Sequence, residues 1–256
     1  MVKGLALFRE YFQGYEHSYV LIGGVACDLA MGEAGLEFRA TKDLDIVLCA
    51  EVIDAGFVSR FWQFVQDGGY EQREKSSGER QYYRFTKPGN PAFPVILELF
   101  SRQPDGLTLT GGGNLTPIPV DDDVSSLSAI LLDADYYPCI ELGKLIVDGL
   151  SILGPEYIVV FKARAWLDLS ARKAAGEVVD SRNIKKHRND VFRIFQLLSP
   201  QQRVDISPPI REDMQAFVSA MRRETGLELK NLGFRQAKLE QILSSLVDIY
   251  QLELKE

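Results

Sequence analysis

Two glycines that end one apolar run, and two aspartates that alternate with aliphatics in the next, limit what this chain can build. Tyr19-Val20-Leu21-Ile22 is short and apolar and runs straight into Gly23-Gly24. A helix-length gap later comes Arg39-Ala40-Thr41-Lys42-Asp43-Leu44-Asp45-Ile46-Val47. Side chains at i and i+2 of a strand share a face. Asp43 and Asp45 therefore project together, while Leu44, Ile46, Val47 and Leu48 supply the burial that makes the strand form. Two carboxylates held side by side repel each other unless a cation lies between them. Hard oxygen donors of this kind suit Mg²⁺, which also takes oxygens from substrate phosphates.

The glycines supply the other half of the pattern. Without a Cβ, Gly23 and Gly24 can adopt positive φ and let a ligand approach the backbone closely. Val25 to Met31 reads as the first turns of a helix that opens right after them. Its free N–H groups and positive dipole end attract phosphate. The expected arrangement is a phosphate cradle facing a metal site, with Arg39 and Thr41 just upstream of the carboxylates to brace the strand or touch phosphate.

These residues resemble the DNA polymerase β-type nucleotidyltransferases, whose signature is a glycine pair, an acidic pair on a strand and a third carboxylate on a later strand. The GG-x-A … R-x-T-x-D-x-D form is similar to the bacterial branch that includes AbiEii-type toxins of toxin–antitoxin and abortive-infection systems. The likeness covers roughly residues 18 to 195. It implies an α/β (α+β) fold, with a mixed-sheet nucleotidyltransferase core and a C-terminal helical region. The implied divisions are residues 1–150 for the core and 151–256 for the helices. It also implies an enzyme that moves a nucleoside monophosphate from a nucleoside triphosphate to a hydroxyl, with Mg²⁺ (two ions) held by Asp43, Asp45 and Glu98. Gly23 and Gly24 would hold the phosphates. Partners implied are a tRNA 3′ end or other RNA, and a cognate antitoxin protein. Two other readings stay open: a small-molecule (antibiotic) nucleotidyltransferase, and a non-catalytic nucleotide- or partner-binding module on the same fold.

Glu98 lies inside Val95-Ile96-Leu97-Glu98-Leu99-Phe100, where a charge is costly to bury unless paired or metal-bound. It is the candidate third carboxylate, and by resemblance also the base on the acceptor hydroxyl, although family members more often carry Asp there. The alternative is an edge-strand glutamate facing water. By resemblance Lys162 contacts triphosphate; the alternative is a lysine that snorkels from the helix surface. Asp190 matches the family's later aspartate, although the lysine that often precedes it is Asn189 here. Lys186, four residues earlier on the same helix face, is a substitute, and the whole run Arg182–Asp190 also reads as a basic surface. Arg80 and Arg84 alternate along one expected strand and contact either ligand or solvent.

Along the chain, helices are expected over residues 3–13, from Gly23, over 54–67, 156–173, 183–198, 209–225 and 233–254. Strands are expected over 19–22, 43–49, 80–86 and 95–100, with short strands at 127–132, 137–142 and 145–147. Residues 108–123, rich in Gly, Pro and Asp, read as a surface loop near a domain seam.

Composition narrows the function classes. The 256 residues carry a formal net charge of −7, which argues against indiscriminate coating of nucleic acid but leaves room for a local basic patch. Three scattered cysteines, Cys27, Cys49 and Cys139, fit reduced thiols and a cytoplasmic location. No run reaches the roughly 20 apolar residues of a membrane span, and the first residues read as an amphipathic helix rather than a cleavable signal. The only histidines, His17 and His187, stand in unrelated contexts, which argues against a zinc site or a Ser-His-Asp triad. There is no P-loop motif.

Overall fold

The structure, a computed structural model, describes residues 2–49, 54–70, 82–100 and 133–253. They fall into two compact units, one from Met1–Val120 with Lys144–Gly154, the other from Asp121–Gly143 with Pro155–Glu256.

The first unit is built on a mixed six-stranded sheet. Helix α1 (Leu5–Tyr11) precedes β1 (Tyr19–Ile22), α2 (Gly23–Glu33), β2 (Asp43–Leu48), α3 (Ala55–Gly68), β3 (Tyr82–Thr86) and β4 (Ile96–Phe100). The hairpin β5 (Lys144–Val147) and β6 (Leu150–Leu153) completes it, in the order β3-β4-β2-β1-β6-β5. Strand β2 runs antiparallel to β1 and parallel to β4, and β6 runs parallel to β1. Strands β1 and β6 are buried along their whole length, β1 as a continuous apolar run and β6 with one buried polar residue, Ser151.

Local chemistry explains the boundaries. Asp54 caps α3 by accepting a hydrogen bond from the Phe57 N–H at 2.7 Å, and Gly69 ends it in the left-handed conformation (φ 59°). The apolar stripe of α3 meets α1 in an aromatic core: Phe8 and Phe12 stack at 4.4 Å, and Phe64 meets Phe8 edge-on at 5.7 Å and Phe93 at 4.8 Å. Between β5 and β6, Asp148 and Gly149 take φ of 49° and 71°. Positive φ at both central residues makes a two-residue hairpin turn whose twist matches the strands. Strand β6 was not among the expected elements.

The second unit is helical. It contains α4 (Tyr137–Leu142), α5 (Pro155–Ala174), α6 (Ser181–Phe195), α7 (Pro208–Met221), a 3₁₀ turn (Leu229–Leu232) and α8 (Leu239–Ile249). Asp180 caps α6 through the Arg182 N–H at 2.9 Å. Phe192, Phe217, Leu243 and Leu246 are fully buried, and Trp166 meets Phe217 edge-on at 5.4 Å.

The α/β class, the mixed sheet and the C-terminal helical region agree with expectation. One segment does not. Residues 137–142 form a helix, not a strand. Pro138 is at the first turn, where its missing N–H costs nothing, and the Tyr137 N–H reaches back to Asp133 O at 3.1 Å. The expected loop at 108–123, the strand at 127–132 and Arg80 lie outside the described residues. Among the described residues no helix is long and apolar enough to cross a membrane.

Candidate active site

Register brings the acidic residues together. Antiparallel pairing sets Ile22, the last residue of β1, opposite Asp45. The chain therefore leaves β1 beside that carboxylate and must turn at once into α2. Gly23 makes the turn with φ 64°, and a Cβ there would lie 1.8 Å from Asp45 Oδ2. Glycine is thus required twice over, for backbone conformation and for space. A Cβ on Gly24 would lie 2.4 Å from Thr41 Oγ1, so the Thr41 hydroxyl rests against the first turn of α2. Ile22 at the N-cap offers no side-chain acceptor to that turn, a helix start suited to an external anion.

Parallel pairing of β2 with β4 sets Asp45 level with Glu98, and antiparallel pairing of β3 with β4 sets Arg84 opposite Glu98. Arg84, Glu98 and Asp45 therefore form a row across three neighbouring strands on one face, with Asp43 two residues along β2 on the same face. Arg84 Nε lies 3.1 Å from Glu98 Oε1. Asp45 is 9% exposed and Glu98 4%, so neither charge is screened by bulk water.

Burial, the charge of Asp45, a hydrogen bond shared with Asp45 and the charge of Asp43 push the Glu98 carboxyl up to about 9, and Arg84 offsets only part of this. At neutral pH Glu98 keeps its proton and shares it with Asp45, the behaviour of two carboxyls crowded in low dielectric. Among the described residues no three carboxylate, imidazole or thiol groups are gathered tightly enough to form a finished metal cage. The donor chemistry nonetheless fits a divalent ion. Asp45 and Glu98 are hard oxygen donors that share a proton where a stronger cation would serve, and half-buried Asp43 is on the same face.

The remaining predicted residues have other surroundings. Arg39 is half-buried, with Nη1 donating to Ala40 O at 3.5 Å and its guanidinium 5.0 Å from the Phe38 ring centroid. In the second unit, Lys162 Nζ lies 3.5 Å from Asp190 Oδ2 and Arg193 Nη1 lies 3.3 Å from Asp190 Oδ1. Lys162 is buried rather than snorkelling, and Asp190 has no exposure. This buried pair joins α5 to α6. The basic run on α6 also lines a polar cavity of about 490 Å³ with Lys185, Arg188 and Asn189. There Arg188 is held by Glu224 at 2.8 Å.

The pairing of Arg84 with Glu98 was not expected from sequence. Its signal in the sequence is a basic and an acidic residue, Arg84 and Glu98, in strands on either side of the Pro88-Gly89-Asn90-Pro91 turn.

No protein-family model matches the sequence, and no curated protein matches it. Two solved structures are similar in fold. One is an antigenic nucleotidyltransferase-like protein from Paracoccidioides brasiliensis, with a TM-score of 0.47, 16% identity, and 94% of this chain and 90% of that chain covered. The other is JHP933 from Helicobacter pylori, with a TM-score of 0.39, 12% identity, and 97% and 89% covered. Likeness at this level concerns the fold, and no residue role is carried over from either.

Proposed function

We propose that this chain is a Mg²⁺-dependent nucleotidyltransferase that moves a nucleoside monophosphate from a nucleoside triphosphate to a hydroxyl acceptor. The observation that supports this best is the placement of Gly23 and the start of α2 against Asp45, with Glu98 level with Asp45 on the next strand. A glycine turn opening a helix and a crowded acidic pair thereby lie together in the sheet, which favours this reading.

In the proposed reaction the acceptor oxygen forms a bond to the α-phosphorus, the bond from that phosphorus to the bridging oxygen breaks, and pyrophosphate leaves. Asp43, Asp45 and Glu98 would hold Mg²⁺, which supplies electrostatic stabilisation of attacking and leaving oxygens. The first-turn N–H groups of α2 bind phosphate oxygens, and Gly23 leaves them room to approach. Glu98, when ionised, would accept the proton of the acceptor hydroxyl. Arg84 keeps the Glu98 carboxyl in place. Lys162 and Asp190 hold each other and join their two helices, so the proposed chemistry draws on the first unit alone.

The acceptor proposed is the 3′ end of a tRNA, in a toxin-like enzyme with an antitoxin partner, on the strength of the AbiEii-type pattern of residues 23–45. The test is transfer of label from each α-labelled nucleoside triphosphate, with Mg²⁺ and with EDTA, into small RNA and into hydroxylated antibiotics. Label in RNA that disappears with EDTA and with Asp45→Asn is the expected result. Label in an antibiotic would replace the acceptor and keep the reaction. Absence of transfer from a folded protein to every acceptor, with the nucleotide still bound, would point instead to a binding module.

A further inference from the structure

The polar cavity of the second unit contains a guanidinium that is fixed at two of its nitrogens and unused at the third. The cavity lies between α6 and residues 224–232, has a volume of about 490 Å³, and is lined only by residues of that unit. Arg188 is on its lining yet only 8% exposed. Its Nη1 donates to Glu224 Oε1 at 2.8 Å and its Nε donates to Asn189 Oδ1 at 3.3 Å, while its Nη2 has no acceptor among the described residues. Because Nε can only donate, Asn189 must turn its oxygen to Arg188, and its NH₂ group is left without an acceptor among the described residues. Lys185, one turn earlier on the same face of α6, is exposed, and its ammonium has no acceptor among the described residues either. We propose that this cavity binds a phosphate monoester, a single phosphate group on a small polar organic molecule. The proposal does not depend on the reading of the acidic row in the first unit.

The donors select the ligand. A nearly buried guanidinium with a spare nitrogen is costly to leave unmatched, and one already fixed by its other nitrogens gives up little freedom on binding. Phosphate oxygens can accept from Arg188 Nη2 and from the Asn189 NH₂ together, with Lys185 adding charge. Charge limits the number of phosphates. The lining holds three cations, Lys185, Arg188 and Arg193, against two carboxylates, Glu224 and Glu228. That excess of one positive charge suits a monoester, which carries about −1.5 to −2 at pH 7. A triphosphate would bring more negative charge against the same two carboxylates than the cations can offset. Size requires the organic part, because bare phosphate would fill only a fraction of a cavity in the range of small-molecule sites.

Isothermal titration calorimetry of the full chain with ribose 5-phosphate tests this, in EDTA so that no divalent ion bridges phosphate to the acidic row. Ribose, inorganic phosphate and a mixed-sequence single-stranded RNA serve as comparison ligands, and circular dichroism checks folding. Ribose 5-phosphate should bind the wild type at millimolar concentration or below, inorganic phosphate more weakly, and ribose not at all. Arg188→Lys keeps the charge beside Glu224 but removes Nη2, and should weaken binding at least roughly tenfold. Lys185→Gln, a change at an exposed position, should weaken it by a smaller factor and keeps the test decisive if Arg188→Lys fails to fold. Asp45→Asn should bind ribose 5-phosphate like the wild type. No binding of ribose 5-phosphate to the wild type would overturn the proposal. So would binding that survives unchanged in both cavity variants, or binding that disappears with Asp45→Asn. RNA bound through Lys185 and Arg188 in place of ribose 5-phosphate would overturn it too, since the groups recognised would then be backbone diesters. The proposed function survives each of these results.

Discussion

Replacing Glu98 by Gln should stabilise the metal-free protein, and should do so more as the pH rises. The folded protein holds the Glu98 proton up to about 9, against an ordinary value of 4.5. Between these values the native state binds more protons than the unfolded chain, so stability falls as pH increases through that window and levels off above it. Each pH unit is worth about 1.4 kcal/mol. From the lower value to pH 7 the penalty against a permanently neutral group is on the order of 3 kcal/mol. Gln is neutral at every pH, can donate an N–H to Asp45 where the carboxyl donates its O–H, and can accept from Arg84. With a more compact denatured state and some residual water allowed for, a gain of about 2–3 kcal/mol at pH 7 is expected. For a chain of this size that is a rise in melting temperature of roughly 5–10 °C. Thermal unfolding by circular dichroism in EDTA, at pH 5, 6, 7 and 8, measures it. The two proteins should melt within a degree or two of each other at pH 5 and diverge steadily above. Mg²⁺ should then raise the wild type more than the variant, because it binds the native carboxylate cluster. A gap that does not widen with pH, or a variant that is the less stable at pH 8, would refute the shared-proton account of Asp45 and Glu98.

Three further outcomes are expected. Gly23→Ala should lose about 1–2 kcal/mol from the positive φ alone and more from the collision with Asp45. It should bind Mn²⁺ poorly, and a variant that melts and binds metal like the wild type would dismiss the contact. Asp190→Asn should cost about 3–5 kcal/mol in urea unfolding, because it leaves the buried Lys162 ammonium without its counter-charge. Lys162→Met should cost less, since Arg193 still pairs with Asp190, and the reverse order would contradict the geometry. Asp54→Ala should cost about 1 kcal/mol by removing the cap of α3, read as a shift in the same urea curve, and no shift would deny the cap.

What was legible in the sequence, and what was not, follows the range of the interactions involved. Strands β1 and β2 and the start of α2 could be read because their signals lie within one segment: an apolar run, a glycine pair, a two-residue alternation. Asp43 and Asp45 share a face by chain geometry alone. The cap of α3 at Asp54 and its stop at Gly69 are local in the same way. Residues 137–142 misled because Tyr, Cys, Ile and Leu fit a strand by composition, whereas Pro138 and the bond to Asp133 decide for a helix. Strand β6 is only four residues long, and the Asp148-Gly149 turn is its one local signal.

The row of Arg84, Glu98 and Asp45 is a different kind of fact. It depends on two registers at once, and a slip of one residue in either would send a side chain to the opposite face. Those registers are fixed by the packing of the apolar residues between the charges, among them Phe85, Leu97, Leu99, Leu44 and Ile46, all buried. The electrostatics of the candidate site is therefore set by hydrophobic burial elsewhere on the same strands. That predicts which kind of distant change should disturb the site. Substitution of Leu97, which pairs with Leu44 on one side and Phe85 on the other, by Ala should cost about 2–5 kcal/mol through the cavity it leaves. If register is what holds the row, this change should also narrow the pH-dependent gap between the wild-type Glu98 and its Gln counterpart. An undiminished gap in the Leu97→Ala background would mean that the carboxyls find each other without the strand packing, and the link from core to site would fall.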